Sequence, residues 1–284
     1  MVGLAVANDA ETFERMRGPL ADRGIRAEHV SVRGDVTPLA DPPVDPSRFD
    51  AGFVYPGRLM EGGVVDAFLG VPWVNGRDAV LRSRNKAGAL ATLADAGVPV
   101  PETVYVSNPA DEDAVREAFE RVGSPVVVKP NSTTRGVGVT KVHDADSLSG
   151  VADYLDLVHD YRATGDKSYL IQEYVPDAAD YRVMVLDGEV VGAVRREASD
   201  GWKHNVHRGA TAEGVALPDE LRALAVDAAD ALGVDFLGVD VLVSGDQAVV
   251  NETNARPTID DDAKYEDGFY DRLAALVERT AEEN

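Results

Sequence analysis

Cysteine is absent from this chain of 284 residues. Its absence excludes disulfide bonds, thiolate nucleophiles and zinc–thiolate sites. No hydrophobic run approaches the roughly 20 residues that a membrane-spanning helix requires. The first residues do not form a basic leader followed by an apolar segment, so we expect no secretory signal there. Together these absences predict a soluble, cytoplasmic protein with no membrane partner.

Lysine is also scarce. The chain has six lysines, and its 28 basic residues face 50 acidic ones, for a formal charge of −22. No basic run offers a site for a phosphodiester backbone, so we expect no nucleic-acid partner. The acidic residues are spread along the whole chain, which is typical of a salt-rich cytosol where screening weakens self-repulsion. This pattern predicts a halophilic archaeal source; the alternative is an acidic enzyme from an organism living at ordinary salt.

Apolar periodicity divides the chain into two parts. Over residues 1–85 strands alternate with helices, which predicts a small parallel α/β domain. From residue 86 onward the alternation stops, and the pattern is typical of an α+β fold. In the first part the predicted strands are 4–7, 29–32, 49–55 and 71–74, and the predicted helices are 9–23 and 64–69.

A helix over residues 82–96, ended by Gly97, joins the two parts. Asp187-Gly188 marks a hairpin turn in the later part. There the predicted strands are 125–129, 169–175, 181–186, 190–196, 236–243 and 248–253, and the predicted helices are 218–232 and 271–280.

Three side chains with hard oxygen atoms, Asp240, Glu252 and Asn254, lie on or beside the last two predicted strands. Glu252 and Asn254 are two residues apart and therefore share one face of their strand. Asp240 joins that face if the turn holds three residues, 245–247, or if the hairpin contains a bulge; a regular two-residue turn places it on the opposite face. Converging oxygen ligands suit Mg²⁺. The alternative is an ordinary hairpin whose polar residues face solvent.

A cationic feature precedes this hairpin in the chain. Lys129 ends an apolar strand, and residues 132–138 follow as a polar loop that contains Gly136 and Gly138. Glycines allow backbone N–H groups to approach an anion, and a lysine at a strand end offers phosphates a fixed charge. The loop matches neither the Walker nor the dinucleotide-binding pattern. A phosphate site is therefore one interpretation, and a lysine whose side chain simply extends to solvent is the other.

Further polar residues surround an apolar strand. Residues 169–175 by themselves indicate only a strand, although the backbone that follows could pair with an adenine edge.

Arginines and lysines near a phosphoryl group stabilise the charge that develops in its transfer. His204 and His207 are not expected to bind zinc, because the chain has no cysteine and no HExxH pattern. The polar set comprises Asp180, Arg182, Arg195, Arg196 and residues 202–209.

Nine segments spread along the chain, from Lys86 to residue 257, resemble in their order those of the ATP-grasp carboxylate–amine ligases. Among these ligases they are most similar to the RimK-like branch of the alpha-L-glutamate ligase type. Order and spacing over nearly the whole chain carry the resemblance. It implies a Rossmann-like pre-ATP-grasp domain at 1–85 and an ATP-grasp domain at 86–284, with lobes at 86–174 and 175–284. The segments are Lys86 and residues 97–103, 126–130, 135–139, 171–175, 180–183, 203–209, 238–242 and 251–257.

The resemblance also implies a role for each matching residue. ATP is the nucleotide, and Mg²⁺, or Mn²⁺ in its place, is the metal. The residues implied at the ATP phosphates are Lys86, Lys129, Gly136 and Gly138, with Lys203 and Asn205 near the triphosphate. The adenine would be bound by the backbone of Glu173 and Tyr174, and the ribose by Asp180. Arg196 or Arg208 would lie beside the acyl-phosphate, Asn205 would also be catalytic, and the metal ligands would be Asp240, Glu252 and Asn254.

Three departures from the branch affect specificity. Lys203 stands where arginine is usual, which exchanges a bidentate fork for a point charge. Ala210 replaces a second glycine. After Asn254 the chain reads Ala-Arg-Pro-Thr, residues 255–258, where the branch usually has Ala-Ser-Pro-Gly. The substrate pair is therefore left open by the sequence.

The implied reaction joins a carboxylate to an amino-acid amine through an acyl-phosphate and releases ADP and phosphate. It needs no protein nucleophile, in agreement with the lack of cysteine and of a GxSxG motif. Two enzymatic alternatives are a glutathione-synthetase-like ligase and a dipeptide ligase. A non-enzymatic alternative is a regulator that binds ATP without turnover. A homo-oligomer is compatible with the sequence.

The acidic surface generates a prediction about salt. If it is an adaptation, the melting temperature rises with KCl into the molar range, because screening relieves repulsion among like charges. Thermal melts against KCl concentration measure this directly. A curve that is flat or falls above physiological salt would favour the alternative of an ordinary acidic enzyme.

Overall fold

Three β-sheets organise the part of the chain that the computed structural model describes, residues 1–133, 136–158, 166–197 and 211–283. The first sheet contains β1 (Val2–Val6), β2 (Ile25–His29), β3 (Ala51–Phe53) and β4 (Trp73–Val74), with helices α1 (Ala10–Ala21) and α2 (Leu59–Leu69) between them. All of its strand pairs are parallel, in the order β2-β1-β3-β4. This is the parallel α/β unit that the alternating pattern predicts.

The second strand differs from its predicted position at 29–32. It begins at the buried Ile25, which pairs with Val2, and ends at His29, which pairs with Val6. Because β1 ends at Val6, the residues after Val30 have no neighbouring backbone to continue the ladder. Length of the partner strand, rather than β-propensity, therefore sets this boundary.

The helix predicted over 82–96 is two helices, α3 (Arg77–Arg84) and α4 (Lys86–Asp95). Asn85 separates them with ψ at 87°, and its side chain accepts a hydrogen bond from the backbone N–H of Gly88 as the N-cap of α4. An asparagine side chain can replace the helical hydrogen bond in this way. The break places Lys86 in the first turn of α4. Gly97 follows the end of α4 in the left-handed conformation, as predicted.

The middle sheet is antiparallel, in the order β5-β8-β6-β7. Helices α5 and α6 pack against Val126, Val128 and Ile171 on one face. Alternation along β6 therefore directs Lys129 to the other face. Apolar periodicity did not predict β5, β7, α5 or α6. The elements are β5 (Thr103–Val106), α5 (Glu112–Val122), β6 (Val126–Pro130), β7 (Thr140–Val142), α6 (Ala145–Val158) and β8 (Tyr169–Glu173).

The third sheet is also antiparallel, in the order β11-β10-β9-β12-β13. Helix α7 packs on one face together with α4, around Val239, Val241 and Ala225. The elements are β9 (Ala179–Leu186), β10 (Glu189–Glu197), β11 (Thr211–Gly214), α7 (Asp219–Leu232), β12 (Phe236–Ser244), β13 (Gln247–Asn254) and α8 (Phe269–Ala281).

One hydrophobic core joins the first sheet to the third. Phe236 on β12 lies 6.0 Å from Phe53 on β3 and 6.4 Å from Phe269 on α8, measured between ring centroids. Asn75 donates from its side chain to the carbonyl groups of Phe236 and Ala255. The middle sheet has a core of its own. In the described residues, no helix has the length and apolar character that crossing a bilayer requires.

Phe236→Ala tests this shared core. The substitution removes a fully buried ring and leaves a cavity, so we expect a loss of about 3–5 kcal/mol in the free energy of unfolding. Urea denaturation measures the loss, and Tyr154→Ala, which removes an exposed ring on α6, is the matched control. Equal effects of the two substitutions would contradict the assignment.

Candidate functional site

A β-bulge in the last hairpin decides the arrangement of the predicted metal ligands. Ser244 pairs with Gln247, so the turn is the two-residue Gly245-Asp246 and not the three-residue alternative. The register then shifts at Asn251, which brings Asp240 directly opposite Glu252. Directly opposite residues share a face of a sheet. The bulge, the second alternative in the sequence analysis, thus provides the common face that the predicted site requires.

Asp240 lies in a buried ion-pair network. Its two carboxylate oxygens accept hydrogen bonds from Arg182, at 2.7 and 2.8 Å, and Nη2 of Arg196 lies 3.1 Å away. Burial acts to raise the pKa of Asp240, but the two guanidinium groups outweigh burial and hold that pKa below its usual range. The carboxylate is therefore ionised.

Asp180 and Arg196 belong to the same network. They pair with each other across β9 and β10, and both side chains are buried. The predicted contacts were a ribose for Asp180 and an acyl-phosphate for Arg196. In this structure each of these side chains is bound by the other, so either role requires an exchange of partners. Both roles stay predictions.

Two buried lysines reach the hairpin from different elements. Lys86 begins α4, lies 3.4 Å from Glu252 and donates to the backbone carbonyl of Thr133. Lys129 lies near the end of β6, on the face turned away from α5 and α6, and donates to Asn251, at 3.2 Å to Oδ1. Their exposed fractions are only 6% and 4%, whereas the Glu252 side chain is about one third exposed. The lysines therefore meet the third sheet where it faces the middle one.

Burial makes the charge on Lys129 unfavourable. It lowers the pKa of Lys129 to about 8; Glu252 opposes this shift and Lys86 adds to it. An ammonium group that has lost water without gaining a close carboxylate gains most from an anionic ligand. The pair of lysines is therefore suited to phosphate, which would supply the missing negative charge.

The backbone of Glu173 and Tyr174 lies at the end of β8. The N–H of Glu173 donates to Glu102 and that of Tyr174 to Pro125, while Lys141 Nζ lies 4.2 Å from the Tyr174 ring centroid. Both N–H groups thus have partners inside the protein. The predicted adenine contact is not tested by these hydrogen bonds.

Gly136 and Gly138 both have positive φ, at 65° and 77°. At Gly138 an added Cβ would lie 2.8 Å from the Pro130 side chain, so a larger residue does not fit without a shift. Gly138 therefore lies directly against the end of β6. Other predicted positions lie outside the described residues: Arg135, Lys203, Asn205 and Arg208, together with His204 and His207.

Three contributors to the site were missed by the sequence analysis. Arg182 was grouped with the cations but not assigned to Asp240, although its position two residues after Asp180 indicates the same strand face. Asn251 binds Lys129 only because of the bulge, which no local signal marks. The Thr133 carbonyl binds Lys86 through loop geometry that apolar periodicity does not describe.

Residues 83–268 match the sequence profile of the RimK-like ATP-grasp domain. Two relatives, both described as probable alpha-L-glutamate ligases, are each 34% identical to the chain. The protein from Hydrogenovibrio crunogenus aligns over 75% of this chain and 69% of its own length, and that from Saccharophagus degradans over 76% and 69%. The crystal structure of D-cycloserine synthetase DcsG superposes with a TM-score of 0.75 at 24% identity, over 98% of this chain and 99% of its own.

The fold, in which lysines and carboxylates meet between the middle and third sheets, is that of the ATP-grasp proteins. The chain belongs to the RimK-like ATP-grasp family. It is an ATP-dependent enzyme that ligates a carboxylate to an amine.

Proton uptake on ATP binding tests whether Lys129 lies beside the phosphates. ATP phosphates beside Lys129 would raise its pKa from about 8 towards the ordinary value, so binding at about pH 9 takes up a fraction of a proton. Calorimetric titration of ATP in two buffers of different ionisation enthalpy measures this uptake. Lys129→Met should abolish it and weaken binding, whereas Lys167→Met, at an exposed lysine, should leave both unchanged. Unaltered uptake in Lys129→Met would remove Lys129 from the phosphate site.

Proposed function

We propose that this ligase joins the amino group of L-glutamate, or of a similar amino acid, to a carboxylate substrate. The single observation that carries the proposal is the meeting of Lys86, Lys129 and Glu252 at the junction of the two lobes. The names of the relatives, alpha-L-glutamate ligases, support glutamate as the amine.

The proposed reaction has two steps. A carboxylate oxygen of the substrate attacks the γ-phosphorus of ATP, the bond from that phosphorus to the bridging oxygen breaks, and ADP leaves. The amine nitrogen then attacks the acyl carbon, the bond to the phosphate oxygen breaks, phosphate leaves, and the nitrogen loses a proton to solvent. Lys86 and Lys129 hold the phosphates and offset their charge, so catalysis is positioning and electrostatics.

The donor set of the hairpin fits Mg²⁺, or Mn²⁺ in its place. Two carboxylates and an amide, Asp240, Glu252 and Asn254, are the hard oxygen ligands that Mg²⁺ combines with phosphate and water. The described residues contain no group of three or more acidic or histidine side chains that could hold a metal alone. When bound, the metal neutralises phosphate charge. Arg182 and Arg196 then compete with it for Asp240.

The other assignments remain part of this proposal. The first sheet is the Rossmann-like pre-ATP-grasp domain at 1–85, followed by lobes at 86–174 and 175–284, and the even acidic surface reflects a halophilic archaeal source. The ligand roles are Gly136 and Gly138 over the phosphates, Glu173 and Tyr174 at adenine, Asp180 at the ribose, and Arg196, Arg208, Lys203 and Asn205 around the reacting groups.

A panel of acceptors separates this proposal from its rivals. ADP release is measured with L-glutamate, with other amino acids and with D-alanine, each offered together with a set of carboxylates. Turnover restricted to amino acids of another class would favour a dipeptide or glutathione-synthetase-like ligase. ATP binding without ADP release on any pair would favour a regulator.

Glu252→Gln tests the role of the hairpin. The substitution removes the negative charge while keeping the shape, so ADP release should fall by roughly 100-fold or more, the scale for losing one preorganised group that stabilises charge. The melting temperature should change little, because this side chain is already one third exposed. Asp246→Asn, in the exposed turn of the same hairpin, is the control and should retain full activity. Full activity of Glu252→Gln would contradict the assigned role.

A further inference from the structure

Two arginines converge between the first and third sheets. Arg84 is the last residue of α3, and its Nη2 donates to the carbonyl of Gly57 at 2.7 Å. Arg256 follows β13 by two residues, and its Nε lies 3.2 Å from where a Cβ on Gly57 would be. Both guanidinium groups therefore flank the same backbone segment.

Neither arginine has a carboxylate partner among the residues that the structure describes. Arg256 donates to the carbonyl groups of Tyr55 and Val54 and to the side chain of Asn8, which are all uncharged acceptors. Nη1 of Arg84 is buried and has no hydrogen-bond partner. Two like charges are thus held together, mostly out of water, with only neutral partners.

This arrangement is unfavourable for both cations. Arginine keeps its proton in proteins, so both side chains carry their positive charge here. A buried charge without a partner is normally avoided. An anion between the two guanidinium groups would remove that cost.

The location is one where parallel sheets bind ligands. Asn8 follows β1 and Val54 follows β3, and the strand order β2-β1-β3-β4 reverses between these two strands. Ligands of open α/β sheets lie outside the carboxyl ends of the strands at such a reversal. Val54 has a φ of 50°, a strained conformation for a β-branched residue and one that is concentrated at functional sites.

The arginines also adjoin the proposed reaction centre. Arg84 lies two residues before Lys86, and Arg256 two residues after Asn254, whose Oδ1 accepts the Arg256 N–H at 2.9 Å. A substrate that extends from the phosphates towards the first sheet would therefore pass both guanidinium groups.

We propose that Arg84 and Arg256 bind a second anionic group of the carboxylate substrate, so that the enzyme selects dicarboxylates over monocarboxylates. The proposal rests on the proposed function for the identity of the occupant as substrate. The anion site itself follows from the two arginines alone.

Calorimetric titration of glutarate and of valerate, which has the same number of carbons and one carboxylate fewer, tests the proposal. The protein is the full chain with Mg²⁺ and a non-hydrolysable ATP analogue, at one fixed KCl concentration. We expect glutarate to bind at least about tenfold more tightly than valerate, and Arg84→Gln and Arg256→Ser each to remove roughly that preference, since each deletes a charge-assisted contact. Arg77→Gln, an exposed residue on the same helix, should bind like the wild type.

If the arginines have only a structural role, their substitution should lower the melting temperature without changing glutarate binding. Arg256→Ser removes several hydrogen bonds between the sheets and is expected to melt earlier, so Arg84→Gln is the decisive variant. If Arg84 binds substrate, Arg84→Gln keeps or raises the melting temperature of the free protein, because a like-charge contact is lost, yet weakens glutarate binding. A lower melting temperature with unchanged glutarate affinity, or equal binding of glutarate and valerate by the wild type, would overturn the proposal.

The same samples separate this proposal from the proposed function. Loss of glutarate binding in Arg84→Gln, in a protein that releases no ADP with any acceptor, supports the anion site and contradicts the ligase reaction. ADP release with glutamate that is indifferent to Arg84→Gln and to the number of substrate carboxylates supports the reaction and contradicts the anion site.

Discussion

A single unpaired residue on β13 decides which side chains of the last hairpin face the middle sheet. With its two-residue turn alone, the hairpin would set Asp240 opposite Asn251 and direct Glu252 towards α7. Because Asn251 is the extra residue of a bulge, Glu252 moves opposite Asp240, and the Asn251 side chain contacts Lys129 instead. Bulges re-aim side chains in this way next to active sites. Both the carboxylate pair and a contact between the lobes depend on this irregularity.

Four cationic side chains and three carboxylates meet around the bulge, and the small excess of positive charge suits the anionic phosphates of ATP. Asp240 accepts hydrogen bonds from a guanidinium group, whereas Glu252 is the carboxylate that lies 3.4 Å from Lys86 and acts most strongly on Lys129. Positive charge is therefore concentrated at the lysines rather than at the arginines. The cations are Lys86, Lys129, Arg182 and Arg196, and the carboxylates are Asp180, Asp240 and Glu252. A phosphate chain that enters beside the lysines meets charge that the protein does not itself neutralise.

The sequence predicted what local chemistry determines and missed what depends on partners. Alternation located β12 and β13, and the two-residue spacing of Glu252 and Asn254 fixed their common face. It could not select between the turn and the bulge, because both satisfy the same apolar pattern. The helix break at Asn85 was not predicted, because the apolar pattern continues through it and the capping role of Asn85 depends on geometry rather than hydrophobicity. The second strand was displaced because β1, a distant segment, sets where pairing ends. The predicted roles of Lys203, Asn205 and Arg208 lie outside the described residues.

The two lysines also explain how the middle and third sheets can meet without a common hydrophobic core. Lys86 is carried by α4, whose apolar face packs with α7 and the third sheet, and it donates to the carbonyl of Thr133, which follows β6 of the middle sheet. Lys129 is carried by the middle sheet and bonds to Asn251 of the third. Each lysine thus crosses the junction in the opposite direction. Because the middle sheet keeps its own core, separating the two sheets at the lysines breaks polar contacts that water or phosphate can replace. The first sheet, by contrast, shares a core with the third, so it moves with the third sheet and keeps Arg84 and Arg256 together.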